Sequence, residues 1–311
     1  MIAAHASSYE KIGSMASPFT EQMIVDPDPA TPGRYHADLD EHWNCPIIPH
    51  GGIVAAVALS AMSAELGVVD GQRLRSVSTV FAGQVPPGPC EIDVTVLRRG
   101  RSMSQVTSTL RAAGQEAGHT AIAVFGGERA GFDFTDVAPP VVPPPAECPS
   151  WRDDPPEGVE TRPPFPFWEL VEGRAAIGHP PWEDYEPAGA ERASWYRFDE
   201  SPIVDGVLDP RAAVALCDTM PGAVGERLGQ TSVMWLPPSV DLTVHVLGDA
   251  RSEWLLGHNR ARHAGDGYAS VEITLWDEAG GLVAYGTQLM YFVFPDGPPP
   301  PDQRRAPELH T

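Results

Sequence analysis

Residues 50–66 read His50-Gly51-Gly52 followed by IVAAVALSAMSAEL. The fourteen residues after the glycines carry a single charge, at Glu65. Their alanine, leucine and methionine content and their length favour a helix over a strand. A helix that is apolar on every side belongs in an interior, so the segment predicts a central buried helix. The glycines at its start permit close approach of a ligand, beside the positive end of the helix dipole.

Strand-like stretches follow at Leu74–Phe81, Glu91–Leu97, Ser104–Arg111 and His119–Phe125, separated by turns at Pro86-Pro87-Gly88, Arg99-Gly100-Arg101 and Gly114–Gly118. Glu91-Ile92-Asp93-Val94-Thr95-Val96 alternates with period two, as a half-buried antiparallel strand does. The same order then recurs. Asp209-Pro210 offers a capping side chain followed by proline at the first helical position, predicting a helix through Arg211–Met220. Strands are expected at Ser239–Val246, Glu253–Arg262, Ala269–Trp276 and Leu282–Phe294, where Val271, Ile273 and Leu275 repeat the alternation of Val106, Ser108 and Leu110. His50 matches Asp209 at an offset of 159, and Val106 matches Val271 at 165. One helix followed by about four strands, occurring twice, indicates a duplicated α+β domain in which each antiparallel sheet wraps a central apolar helix.

Between the copies, fourteen prolines lie in residues 139–187. Proline fixes φ and lacks a donor, so neither a central strand nor a long helix is expected there. Trp151, Phe165, Phe167 and Trp168 are candidates to hold this connector on the surface. The resulting division is 18–130 for the first domain, 131–190 for the connector, 191–294 for the second domain and 295–311 for a disordered tail.

Charge narrows the partners. The 311 residues carry 21 basic and 42 acidic groups, and the net charge is −5 over residues 1–135, −8 over 136–190 and −8 over 191–311. No basic segment exists to grip nucleic acid or an anionic membrane. No run approaches the roughly 20 apolar residues of a membrane span, and the N-terminal MIAAHASSYEKIGS lacks the basic and apolar regions of a signal peptide. Cys45, Cys90, Cys148 and Cys217 are widely spaced, which argues against zinc and against a disulfide framework and is consistent with free thiols in the cytoplasm.

The unit resembles a hot-dog fold, and the pair resembles the double hot-dog acyl-CoA thioesterases of the thioesterase II type, over residues 18–130 and 190–294. Asn44-Cys-Pro-Ile-Ile-Pro-His50-Gly51-Gly52 is similar to the N-x5-HGG signature of single-domain hot-dog thioesterases. The helix carboxylate expected nine residues after the signature histidine is absent, since that position is Leu59. In the second copy the corresponding residue is Asp218. One copy supplies the glycine helix start and the other the carboxylate, as in a duplicated dimer that has kept one of two sites. The resemblance also implies catalytic roles for Gln288 on the last strand and for Ser239 entering the strand after the helix, with Thr243 as the alternative hydroxyl.

What the resemblance implies is hydrolysis of acyl-CoA by an activated water. Asp218 is the expected base, with its pKa raised by burial. Gln288 and Ser239 are expected to orient the water, and Gly51, Gly52, His50 and Asn44 to form the oxyanion and substrate-binding set. Neither metal nor cofactor is required, coenzyme A being part of the substrate. Ser60 and Ser63 lie within the helical run and no G-x-S-x-G elbow exists, so no covalent nucleophile is expected. Arg98, Arg99 and Arg101 form a basic turn, read either as solvated or as a phosphate contact. Two alternatives remain open. One is a non-catalytic acyl-CoA or lipid binder. The other is a 2-enoyl-CoA hydratase using Asp38 and His42, which lack the usual spacing. One duplicated chain equals a hot-dog dimer, and pairing of its outer edges predicts a homo-oligomer.

Overall fold

A computed structural model describes residues 17–306 apart from 68, 70, 160–164 and 230–232. The N-terminal stretch 1–16, Pro163-Pro164 of the connector and tail residues 307–311 lie outside the described residues. The first copy comprises α1 (Pro18–Gln22), β1 (Asp26–Pro27), β2 (Arg34–Leu39), α2 (Gly51–Leu66), β3 (Arg73–Phe81), β4 (Gly88–Arg99), β5 (Met103–Ala112) and β6 (His119–Gly126). After it come α3 (Phe167–Leu170), β7 (Val171–Ile177), β8 (Glu191–Phe198), β9 (Ile203–Val204), β10 (Val207–Leu208), α4 (Pro210–Cys217) and α5 (Gly222–Leu228). The chain closes with β11 (Ser239–Val246), β12 (Leu255–Gly265), β13 (Tyr268–Asp277) and β14 (Leu282–Tyr291).

The apolar run is a buried helix, and every residue from Gly52 to Met62 is buried. It packs against β4, β5, β6 and α4, while α4 packs against β11, β13 and β14. In β4 the alternation places Cys90, Ile92 and Val94 inside, between the less buried Glu91 and Asp93. The two expected sheets are halves of one 12-stranded antiparallel sheet, ordered β1-β2-β4-β5-β6-β3-β11-β14-β13-β12-β8-β7. Strands β3 and β11 join the halves, and at their junction Thr243 Oγ1 donates to Ser78 Oγ at 3.0 Å.

These two residues are 165 positions apart, the offset read from the sequence. Local irregularities repeat at the same interval. The register shift between Leu74 and Ser76 on β3 recurs between Ser239 and Asp241 on β11. That between Val96 and Arg98 on β4 recurs between Ala261 and His263 on β12. Bulges redirect side chains, so their repetition is strong physical support for duplication of a whole unit.

The segment read as connector carries a strand, β7, which sits at the sheet edge and pairs with β8. An edge is where a proline-flanked strand can be accommodated, because one row of its backbone groups needs no ladder partner. Its neighbour Phe167 is fully buried, whereas Phe165 is 39% exposed, so only part of the aromatic set anchors the segment. Further along, buried Glu226 of α5 binds His179 Nδ1 at 2.8 Å and Arg192 Nη1 at 2.7 Å, tying the connector to the second copy. In the tail, residues 301–303 form a 3-10 turn.

The helices meet at Gly52. A Cβ there would stand 2.5 Å from the Ala215 carbonyl oxygen and 2.8 Å from its Cα. Backbone at that distance cannot yield without moving a helix. Gly52→Ala is therefore expected to lower stability by about 1–3 kcal/mol, read as an earlier midpoint in chemical denaturation. An unchanged midpoint would contradict the close crossing.

Candidate active site

Helix α4 begins as the sequence predicts, with Asp209 Oδ1 accepting from the Arg211 N–H at 2.9 Å. It ends sooner, at Cys217, where Met220 had been expected. Asp218 leaves helical geometry at φ −88° and ψ 24° as the C-cap, shortly before Pro221, and this break aims its carboxylate at the start of α2. Oδ2 accepts from the Gly52 N–H at 2.8 Å. Oδ1 accepts from Ser239 Oγ at 3.1 Å and from Gln288 Nε2 at 2.7 Å. Ser239 and Gln288 also bond to each other, from strands that are neighbours in the sheet. The hydroxyl beside Asp218 is thus Ser239, and Thr243 is engaged at the β3–β11 junction.

His50 closes the other side. Its Nε2 faces the Asp218 backbone carbonyl at 3.1 Å. A carbonyl only accepts, so Nε2 carries the proton, leaving Nδ1 bare in the neutral ring. Nδ1 stands 3.8 Å from Asp218 Oδ2. The imidazole stacks on Phe167 with ring centroids 4.2 Å apart and planes at 17°. That contact brings a connector residue into the site, a placement the sequence signalled only as an aromatic cluster.

Both titratable groups are buried, with His50 and Asp218 each 6% exposed. Loss of water raises the Asp218 carboxyl pKa, while the donors Gly52, Ser239 and Gln288 oppose the rise. Burial lowers the His50 pKa, in keeping with a neutral ring. Burial and then the Asp218 charge push the Cys45 thiol up to about 12, so it is protonated at neutral pH and is not a thiolate nucleophile. Ser60 is occupied too, donating to Ala56 O at 3.1 Å inside α2.

Two of the expected substrate-binding positions have partners within the protein. The Gly52 N–H was expected to receive an oxyanion, but Asp218 Oδ2 already occupies it, because the C-cap turn delivers a carboxylate to the helix start. The donor remaining there is the Gly51 N–H, which bonds to nothing among the described residues. Gly51 must be glycine, since a Cβ would lie 2.7 Å from Asp218 Oδ2 and 3.1 Å from the Phe81 ring. The backbone of Asn44 holds two neighbouring segments. It pairs with Pro49 and its carbonyl accepts from the Phe167 N–H at 3.1 Å, without bonding to Asp218, Ser239 or Gln288. The Asn44 Oδ1, His50 Nδ1 and Gln288 Oε1 atoms are buried without hydrogen-bond partners among the described residues.

Other candidates stand elsewhere. Arg99 bonds to the carbonyls of Leu66 and Glu65, capping the far end of α2. Asp38 is exposed, and His42 pairs at the surface with Asp40 at 2.6 Å, so the Asp38 and His42 of the hydratase reading form no site.

Residues 39–126 match the family model of the acyl-CoA thioesterase N-terminal domain, and residues 145–292 that of the acyl-CoA thioesterase C-terminal domain. The chain belongs to the acyl-CoA thioesterase family. Within this thioesterase-family chain the C-terminal match begins before β7, so the family's second domain includes part of the segment read as connector. A protein of Alicyclobacillus acidocaldarius with the hot dog fold superposes with a TM-score of 0.75 at 28% identity, covering 90% of this chain and 99% of that one. The acyl-CoA thioesterase II TesB2 of Mycobacterium marinum shares the fold, with a TM-score of 0.67 at 20% identity over 89% of this chain and 99% of its own. Uncharacterized proteins of Mycobacterium tuberculosis and Mycobacterium bovis are 28% identical over 112 residues, 33% of this chain. The match spans only 38% of the length of those curated relatives. Among the described residues no helix is long and apolar enough to cross a membrane.

The raised carboxyl is measurable in this thioesterase-family chain. Carboxyl 13C NMR, with Asp218→Asn to assign the signal, is expected to place the Asp218 titration above the ordinary aspartate value of about 3.9. Because the folded-state pKa is raised, this group favours folding below the unfolded value and loses that contribution as pH climbs through the folded one. Titration at or below about 3.9 would contradict a desolvated carboxylate.

Proposed function

We propose that the protein hydrolyses acyl-CoA thioesters to the free acid and coenzyme A by carboxylate-assisted attack of water. The observation that carries this reading is the buried Asp218 carboxylate, fixed by Gly52, Ser239 and Gln288 at the N-terminal end of α2. Its raised pKa brings it nearer to the range useful for a general base at neutral pH. Family membership and the free Gly51 N–H support the same reading.

In the proposed reaction the water oxygen bonds to the thioester carbonyl carbon while its proton passes to Asp218. Gln288 Oε1, buried and unpartnered, accepts the second hydrogen of that water and so orients it. Ser239 and the Gln288 amide donate to the carboxylate and hold its plane. The carbonyl oxygen becomes an oxyanion facing the Gly51 N–H, where the helix dipole favours negative charge. Collapse restores the carbonyl and breaks the C–S bond, and the departing thiolate takes the proton from Asp218. The resulting acid and thiol account for every atom of thioester and water. No metal or further cofactor takes part.

Thiol release from acyl-CoAs of graded chain length tests this directly. Wild type is expected to turn over, and Asp218→Asn to lose about 10²–10⁴-fold in kcat while remaining folded. Saturable acyl-CoA binding without turnover in either protein would replace hydrolysis with a binding role. Addition of water to crotonyl-CoA without thiol release would select hydration instead.

A further inference from the structure

Duplication gives each residue around Asp218 a counterpart in the other half. The 165 offset pairs Ser239 with Leu74, Gln288 with Ala123, Phe81 with Val246 and His119 with Ala284, and the 159 offset pairs Asp218 with Leu59 and Gly51 with Pro210. Buried Leu59, Leu74 and Ala123 therefore replace the carboxylate, hydroxyl and amide. Proline replaces the helix-start glycine and removes its N–H.

The packing differs as well. In the half that carries Gly51, the Phe81 ring covers that glycine and meets His119 edge-on, with centroids 4.8 Å apart. Val246 and Ala284, which take these places in the other half, are much smaller. Beside Val246, over the start of α4, a cavity of about 170 Å³ is walled by Leu74, Pro210, Ala213 and Val283. Arg73 and Asp249, ion-paired at 2.9 Å and partly exposed, line its solvent side. An apolar cavity of about 150 Å³ accepts benzene, and the equivalent place in the Gly51 half already holds a benzene ring, that of Phe81.

We propose that this cavity is a second, non-hydrolytic binding site for a hydrocarbon group of about six carbons, alkyl or aryl. Bound there, a hydrocarbon meets none of the groups that activate water or stabilise an oxyanion. Its identification as the hydrocarbon end of an acyl group rests on the proposed function, whereas the binding itself rests on the cavity alone. The charged remainder of such a molecule stays at the rim, beside Arg73 and Asp249.

Methyl NMR of the full chain, titrated with 1-hexanol and separately with benzyl alcohol, tests the site and distinguishes alkyl from aryl occupants. Saturable shifts centred on Leu74, Val246 and Val283 are expected with at least one probe. Val246→Phe fills the space with the side chain its counterpart position holds, and is expected to weaken binding by about tenfold or more while thiol release persists. Ala213→Leu fills it from the helix and takes the place of Val246→Phe if that variant fails to fold. Absence of saturable shifts up to the probes' solubility, or equal affinity in the filled variants, would overturn the proposal. Saturable shifts in a wild type that releases no thiol would leave the cavity standing and remove the hydrolytic reading.

Discussion

A hydrogen bond between the two halves of this protein lies at the centre of the proposed site. The Gly52 N–H belongs to the first copy and the Asp218 carboxylate to the second, and they meet at 2.8 Å in the interior. Isolating either group there is costly. A buried carboxylate needs donors, and a helix start leaves N–H groups unsatisfied. Each meets the other's need, and Ser239 and Gln288 complete the carboxylate's shell. The close crossing of α2 and α4 depends on Gly52 having no side chain, so helix packing and site geometry share one residue.

Duplication in a single chain permits asymmetry that identical subunits do not. One helix can begin with Gly51-Gly52 and the other with Asp209-Pro210, and one can end in Asp218 while its counterpart position is Leu59. The first combination concentrates polar groups at one end of the helix pair. The second buries apolar side chains at the other end and leaves space beside Val246. The sheet continues across the β3–β11 seam, so both ends rest on one backbone framework.

Much of this is legible in the sequence because periodicity and offset are local properties. The α2 run, the period-two strands and the 159 and 165 offsets by themselves identify two α+β units. Asp218, Ser239 and Gln288 come from resemblance, since nothing in their own flanks announces that three residues from α4, β11 and β14 converge. What escapes the sequence is direction. That the Gly52 N–H faces Asp218 follows from where α4 stops, and the two residues between Asp218 and Pro221 do not reveal that the helix ends three residues early. Phe167 escapes for another reason. Its stacking on His50 depends on a long-range path of the connector, in a segment whose prolines rule out interior structure but not an edge strand.

In the proposed reaction the Gly51 N–H of one copy meets the carbonyl oxygen, and the Asp218 carboxylate of the other meets the water that attacks the carbonyl carbon. A crystal structure with a non-hydrolysable thioether analogue of acyl-CoA, retaining the carbonyl, examines that arrangement directly. The carbonyl oxygen is expected within hydrogen-bonding distance of the Gly51 N–H, with its carbon facing the Asp218 carboxylate across the space of one water. A carbonyl bound away from both, or with Asp218 shielded from it by protein, would contradict the account.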